Sequence, residues 1–387
     1  MHKVLPSASE KAATDQVDLA NPRVKLDINL TKLQNNFRAI AAKVAPLQVM
    51  TVLKANAYGL GVRPIAEALV AAGSNRIGVA EVREALQILD LGVPVQILGG
   101  LIPEEIPLVV EAGIVAPVTD LRTAQLLSAE AQHQQREVDC HFLIDTGMGR
   151  LGIVEAEAFE TIREVVRLPG LRCSGIYSHF PSAYGDYAYS YDQIESFKDL
   201  LAALAEENIH FELIHMANSD GINNLPETYL TPFNMVRTGI NLYGVFDLEG
   251  KQQLDLQPIM TLKTRLVAVR QLKAGSFLGY GRTYELKRDM PVGTISIGYA
   301  DGLPLAMSNA GYVIIRGRQC PIIGRVSMDY TTVSLENVED PQPGDDVICL
   351  GERITVGEWA HIKKTHTYDI ICSFGNRVKR IYIHDPM

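Results

Sequence analysis

The sequence predicts an α/β fold: a (β/α)8 TIM barrel followed by a mostly β C-terminal domain. Eight short apolar runs alternate with amphipathic helical stretches between residues 49 and 243, which is the arithmetic of a barrel. After residue 256 the texture changes to strand-like runs punctuated by Gly-Arg, Pro-x-x-Gly and Pro-Gly-Asp-Asp turns, as in a separate β domain. At 387 residues the chain is too long for one ordinary core, and it suits a barrel of roughly 250 residues plus a second domain. A doubly wound open sheet has the same local signature, so the alternation alone leaves both topologies open. The expected division is a polar tail at 1–21, a barrel at 22–256 and a β domain at 257–387.

Residues 23–30 alternate apolar with polar at period two, unlike the fully apolar runs that follow. A half-buried strand reads this way, so this one is expected to join the β domain. Thr31-x-x-Gln34 is a capping box, and Leu33, Phe37, Ile40, Ala41 and Val44 recur at helical spacing behind it. The eight barrel strands are expected at 49–53, 76–80, 95–99, 114–118, 139–145, 173–179, 211–216 and 234–243. Strand-like runs at 259–271, 292–298, 311–315 and 347–351 mark the second domain.

Composition excludes several function classes. A net charge of −9 with no basic run argues against a nucleic-acid surface. No apolar stretch approaches a membrane span, and residues 1–21 lack a signal-peptide core, which points to a cytoplasmic protein. The five cysteines are scattered and never in a C-x-x-C pair; they read as reduced packing residues rather than a disulfide framework or a zinc site.

Barrel chemistry sits at the C-terminal ends of the strands, so what each strand ends on is the useful test. The first ends on Lys54, with Tyr58 four residues on. A lysine at the mouth of a buried strand would be desolvated, which lowers its pKa and frees the amine to attack a carbonyl. The fifth ends on Asp145-Thr-Gly-Met-Gly-Arg150, the sixth on Ser178-His179, the seventh on Asn218-Ser219 and the eighth on Arg237-Thr-Gly-Ile240. Singly, each has a plain structural explanation: a snorkelling lysine, a surface ion pair, a satisfied core histidine, a helix cap. Jointly they form a polar ring around one mouth. An amine for covalent attachment, backbone amides at Ser219, Gly239 and Ile240 for a phosphate, and Arg237 aimed at the mouth suit pyridoxal 5′-phosphate. A Walker loop and a G-x-G-x-x-G fingerprint are missing, and no cluster has metal-ligand spacing.

With these residues assembled, the chain resembles the alanine racemases from residue 23 to 383. The resemblance rests on Val-Leu-Lys-Ala-Asn-Ala-Tyr-Gly (52–59), Asp-Thr-Gly-Met-Gly-Arg-Leu-Gly (145–152), Ser-His-Phe (178–180) and His-Met-Ala-Asn-Ser (215–219) in the barrel half. In the second half it rests on Met-Val-Arg-Thr-Gly-Ile-Asn-Leu-Tyr-Gly (235–244), Gly-Tyr-Gly-Arg-Thr-Tyr (279–284), Ile-Gly-Tyr-Ala-Asp-Gly (297–302) and Gly-Arg-Val-Ser-Met-Asp (324–329). It implies that Lys54 holds pyridoxal 5′-phosphate and is one of two bases, with Tyr280 as the other. Arg237 would donate to the pyridine nitrogen, its very high pKa keeping that nitrogen unprotonated and suppressing side reactions. Tyr58, Ser219, Gly239 and Ile240 would bind the phosphate, beside Asn218. Arg150 and the backbone of Met328 would hold the cofactor oxygen and the substrate carboxylate. His179 would lie against the ring and link Tyr280 to Arg237, while Tyr299, Asp329 and Asn376 would wall or support the entrance.

Racemisation needs a proton taken from one face of Cα and another delivered to the opposite face. The resemblance implies that Tyr280 reaches the lysine of a partner subunit, hence a head-to-tail homodimer with shared sites acting on a small amino acid. Two departures stand out. Many members carry a carbamylated lysine two residues before the Asp of D-T-G-M-G-R, where this chain has Leu143; a chloride ion, another carboxylate or nothing would then brace Arg150. Members usually carry a tyrosine where this chain has Asn376, a smaller residue that can hydrogen bond, which is compatible with an alanine/serine racemase. A non-catalytic pyridoxal-phosphate carrier shares the lysine barrel but is single-domain, and the domain bearing Tyr280 and Met328 argues against it.

Overall fold

The computed structural model describes residues 22–385; the tail expected at 1–21 lies outside the described residues. The chain divides into two compact units, one formed by Leu30–Ile259 and the other by the segment before Leu30 together with Met260–Ile383.

The first strand, β1 (Lys25–Asn29), pairs antiparallel with the strand Met260–Leu272 of the second unit and parallel with that unit's last strand, Lys379–Ile383. It differs from the half-buried strand that its alternation predicts. Leu26, Asp27, Ile28 and Asn29 are all buried, because the strand lies between two others, and the Asp27 carboxylate is compensated there by Lys263 at 2.7 Å.

The barrel strands follow as β2 (Gln48–Val52), β3 (Ile77–Val79), β4 (Val95–Ile97), β5 (Ala116–Val118) and β6 (Val138–Asp145). A two-residue extension, β7 (Ile153–Val154), lies beside β6, and β8 (Leu171–Tyr177), β9 (Leu213–His215) and β10 (Met235–Thr238) complete the set. All eight expected strands are present, and all pair in parallel with their chain neighbours. β10 returns to β2 in the register Met235 with Gln48 to Thr238 with Thr51. A parallel bridge between Gln96 and Val115 joins β4 to β5. The ring is therefore closed, which separates the barrel from the open doubly wound sheet. The intervening helices turn apolar stripes onto the strands: Leu30–Val44 buries Leu33, Phe37, Ile40 and Val44 at the expected spacing.

The second unit is mostly β. Its strands are β11 (Met260–Leu272), β12 (Phe277–Leu278), β13 (Tyr284–Glu285), β14 (Met290–Ile295), β15 (Tyr312–Ile315), β16 (Arg318–Pro321), β17 (Thr331–Ser334), β18 (Asp346–Leu350) and β19 (Lys379–Ile383). The long β11 pairs with β18, β1 and β14, and an irregularity between Leu266 and Ala268 lets it serve two directions. Two helices that the sequence reading did not anticipate, Val356–Lys363 and Thr367–Cys372, carry the chain from β18 to β19. Among the described residues no helix is long and apolar enough to cross a membrane. All five cysteines are free. Cys372 is exposed, however, so the expectation that every cysteine packs in the interior does not hold for it.

Candidate active site

The chain leaves β2 at Leu53 and enters an unusual turn. Ala55, Asn56, Ala57 and Tyr58 all have φ between 53° and 58°, a left-handed run that costs L-residues about 1–2 kcal/mol each. Such strain persists only where neighbours over-determine it. Here Glu84, buried, accepts from the Asn56 N–H through Oε1 at 3.1 Å and from the Ala80 N–H through Oε2 at 2.8 Å. Asn56 Oδ1 in turn accepts from the Val62 N–H at 2.8 Å. The turn fixes Tyr58 inside the barrel, its ring edge-on to Tyr243 at 5.3 Å, and leaves Lys54 at the mouth. Lys54 is exposed. The expected desolvation of this lysine is therefore not supplied by the chain's own fold, because the strand ends two residues before the amine-bearing position and the turn carries it outward.

Tyr58 faces the ends of β9 and β10. A Cβ at position 239 would overlap the Tyr58 hydroxyl, so only glycine lets the phenol come up against the backbone there. The Gly239 N–H donates to Ser219 Oγ at 3.0 Å. Asn218 caps the short helix Ser219–Asn224 by accepting from the Gly221 N–H at 2.8 Å. Ile240 opens the next turn. Hydroxyls of Tyr58 and Ser219 and the backbone around 239–240 thus converge on one spot.

Beside it lies Arg237, buried to 4% exposure. Its Nη1 donates to His215 Nδ1 at 2.7 Å and to the His215 carbonyl at 3.1 Å. Its Nη2 donates to the carbonyls of Ser178 and Met216 at 2.8 and 3.1 Å, with His179 Nδ1 at 3.4 Å. Tyr177 stacks on His215 at 4.9 Å, and its ring lies 5.4 Å from the guanidinium carbon. Burial pushes the Arg237 pKa down to about 10, which Tyr177 only partly offsets. The very high pKa expected of this arginine is accordingly corrected, although the group stays cationic at neutral pH. His179 is pushed down to about 3, first by burial and then by the charges of Arg237, Lys54 and Arg150. Burial and Arg237 hold His215 well below its ordinary value. Both imidazoles are therefore neutral at pH 7.

Arg150 is presented by a loop that hangs on Asp145, whose Oδ1 accepts from the Gly147 and Gly149 N–H groups, each at 3.0 Å. Tyr189 Oη donates to the Gly147 carbonyl at 2.9 Å, and Thr146 Oγ1 meets Ser178 Oγ at 2.7 Å. Arg150 itself is exposed. Leu143 is buried and packs under Gly152, so an apolar side chain stands where an anionic brace was considered.

The remaining predicted residues belong to the second unit. Tyr280 sits in the tight turn between β12 and β13 and is 73% exposed. Arg377 grips Asp301 at 2.7 Å, Asp329 at 2.8 Å and the Met328 carbonyl at 3.3 Å. The Tyr299 N–H donates to the Ser327 carbonyl at 3.0 Å. Tyr299, Met328, Asp329 and Asn376, the residue before Arg377, thus form one cluster held by a bidentate arginine. Sequence reasoning gave no role to Glu84, His141, Tyr177, His215 or Arg377. His215 heads a quoted motif and Tyr177 precedes another, so only their inward position on the strands was lacking.

Two family models account for nearly the whole chain: the alanine racemase N-terminal domain matches residues 28–247 and the alanine racemase C-terminal domain residues 259–382. The chain belongs to the alanine racemase family. It is 37% identical over 370 residues to alanine racemase 2 of Caldanaerobacter subterraneus, covering 93% of this chain and 95% of that protein. Alanine racemase of Clostridium difficile 630 superposes with a TM-score of 0.89 at 29% identity, over 94% of this chain and 96% of that one. The Bartonella henselae alanine racemase, solved with covalently bound pyridoxal phosphate, gives a TM-score of 0.85 at 31% identity, over 94% and 100%.

Proposed function

We propose that this member of the alanine racemase family interconverts L- and D-alanine with Lys54 and Tyr280 as its two bases, Tyr280 being supplied by the partner subunit of a homodimer. The site suits pyridoxal 5′-phosphate on its own chemistry. The absence of a side chain at Gly239 lets the Tyr58 hydroxyl come up against the backbone there, and Tyr58, Ser219, Gly239 and Ile240 would offer hydroxyl and amide groups to a phosphate, next to Asn218. Arg237, immobilised through its two Nη atoms, stands where the pyridine nitrogen would receive a hydrogen bond. When bound, the cofactor supplies the electron sink for charge left at Cα. Lys54 at the mouth is the amine that would hold it.

On this reading one base removes the Cα proton from one face while the other delivers a proton to the opposite face, so each turnover exchanges their protonation states. Arg150 and the Met328 backbone would orient the carboxylate, His179 would lie neutral against the ring, and Tyr299, Asp329 and Asn376 would shape the entrance. The observation that supports the reading is the buried Arg237 guanidinium, held by the Ser178, Met216 and His215 carbonyls with His179 Nδ1 at 3.4 Å, on a strand that lies parallel beside the one leading to Lys54. The absence of a membrane-spanning helix among the described residues supports a cytoplasmic setting.

The test is chiral analysis of L-alanine incubated with the cofactor-loaded protein. D-Alanine should accumulate towards an equal mixture, and Lys54→Ala should abolish both the reaction and the covalent retention of the cofactor that borohydride reduction before denaturation gives in the wild type. Cofactor retained covalently by the Lys54→Ala protein would refute the assignment.

A further inference from the structure

Below Arg237 the barrel interior holds a third histidine that the proposed chemistry does not touch. His141, on β6, is fully buried, and its Nδ1 lies 3.2 Å from His215 Nε2. The direction of this chain of bonds is fixed at one end. An arginine can only donate, so Nη1 of Arg237, 2.7 Å from His215 Nδ1, obliges that nitrogen to accept. His215 then carries its proton on Nε2 and donates it to His141 Nδ1, which leaves the His141 proton on Nε2. That last nitrogen is buried without a hydrogen-bond partner among the described residues, an arrangement that costs free energy and that a purely space-filling residue would not require. Room for the ring is also built in. A Cβ at Gly175 would overlap His141, and the β6–β8 register shifts between Cys140 and His141.

We propose that His141 is a positioning residue: by accepting from His215 Nε2 it locks His215 in the tautomer whose Nδ1 lone pair faces Arg237, and so holds the guanidinium in register with the cofactor ring. This rests on the reading of Arg237 as the partner of the pyridine end. Without the lock, Arg237 alone selects the His215 tautomer, and the form that turns Nδ1–H against an arginine with no lone pair to offer gains population. Arg237 then loses one of its anchors while its three carbonyl partners remain.

Two variants and one spectrum test it on the cofactor-loaded protein. His141→Phe keeps the volume and removes both nitrogens; His141→Asn places Oδ1 near the position of Nδ1 and keeps the acceptor. Long-range 1H–15N spectra of ring-labelled histidine should show His215 protonated on Nε2 in the wild type and in His141→Asn, and a tautomer mixture in His141→Phe. The kcat for alanine should fall about tenfold in His141→Phe, the worth of one hydrogen bond of about 1.4 kcal/mol, with KM within about twofold, and His141→Asn should recover most of it. His215 protonated on Nδ1 in the wild type overturns the proposal even if neither variant folds. So does a His141→Phe protein of undiminished kcat, or a His141→Asn protein as impaired as His141→Phe, which would mean that the ring only fills space. Should the wild type racemise no alanine at all, the functional reading fails, while the spectrum still decides the tautomer.

Discussion

The barrel and the β unit hold their candidate site residues in opposite ways. In the barrel, Arg237 is 4% exposed and anchored by five acceptors. Tyr58 is buried, and the turn that carries it is strained and braced by Glu84. In the β unit, Tyr280, Met328 and Tyr299 are 73, 52 and 46% exposed, and what is held firmly is the backbone beneath them, through Arg377 and Asp301. The barrel thus fixes its polar groups by hydrogen bonds within one chain. The β unit instead presents Tyr280, Met328 and Tyr299 on its surface, the arrangement that the proposed supply of Tyr280 to a partner subunit would require.

The largest consequence of this contrast is in acid. His141 is pushed down to about 3, mainly by burial, and His215 is held low by burial and Arg237, so the native barrel keeps both neutral while the unfolded chain protonates them near pH 6.5. A depressed pKa contributes stability that is complete above the unfolded value and lost as pH falls through it towards the folded one. The loss is about 1.4 kcal/mol per pH unit for each histidine. In the β unit the shifted carboxylates Asp289, Glu336, Asp345 and Asp369 are lowered by exposed partners, Lys273, Arg288, Arg316 and Lys363, which contribute little and only in the carboxylate range. Trp359, the one tryptophan, is buried in the β unit and reports it separately. Between pH 6.5 and 4, helical circular dichroism should decline before Trp359 emission shifts to the red. Coincident transitions would break the comparison.

Paired substitutions sharpen it at neutral pH. Tyr280→Phe should lower kcat by about 10²–10⁴-fold, the usual worth of a positioned acid–base group, and leave Tm unchanged because the hydroxyl is exposed. Arg237→Leu should lower activity and stability together. It strands the Ser178 and Met216 carbonyls, each worth about 1–3 kcal/mol when left unpaired, while the His215 carbonyl keeps the Ser178 N–H at 3.3 Å. A loss of at least about 2 kcal/mol, or roughly 4–8 °C in Tm for a unit of this size, follows. Calorimetry of both variants decides. A Tyr280→Phe protein destabilised as much as Arg237→Leu would mean that the phenol is structural.

The barrel was legible because its strands are buried on both faces and so read as short apolar runs between amphipathic helices, and because five of the eight end on a polar residue. The second unit was less legible. Its helices Val356–Lys363 and Thr367–Cys372 are short, and β1 hid its true burial behind Asp27, whose partner Lys263 lies far along the chain. The same limit applied to the site. Lys54, Tyr58 and Arg237 stood out as polar groups at strand ends, whereas Glu84 and His141 act through backbone amides and a histidine distant in sequence. Whether Lys54 is desolvated could not be read from its neighbours, since the left-handed turn after it depends on a carboxylate thirty residues on.

The smallest expected effect concerns which amino acids enter. If the barrel supplies chemistry common to all substrates and the β unit supplies the rim, selectivity should move with β-unit residues alone. Asn376 is exposed and precedes Arg377, which holds Asp301, Asp329 and the Met328 carbonyl; a side chain there can change without disturbing that clamp. An added hydroxyl changes discrimination by at most about 10²-fold unless the pocket is built to reject it, so kcat/KM for L-serine should lie within about a hundredfold of that for L-alanine. Asn376→Tyr should widen the gap by about tenfold, through lost serine turnover at unchanged alanine turnover. Serine slower than about a hundredth of alanine in the wild type removes the relaxed rim. A substitution that slows both amino acids equally would instead assign Asn376 to the shared chemistry and dissolve the division of labour between the two units.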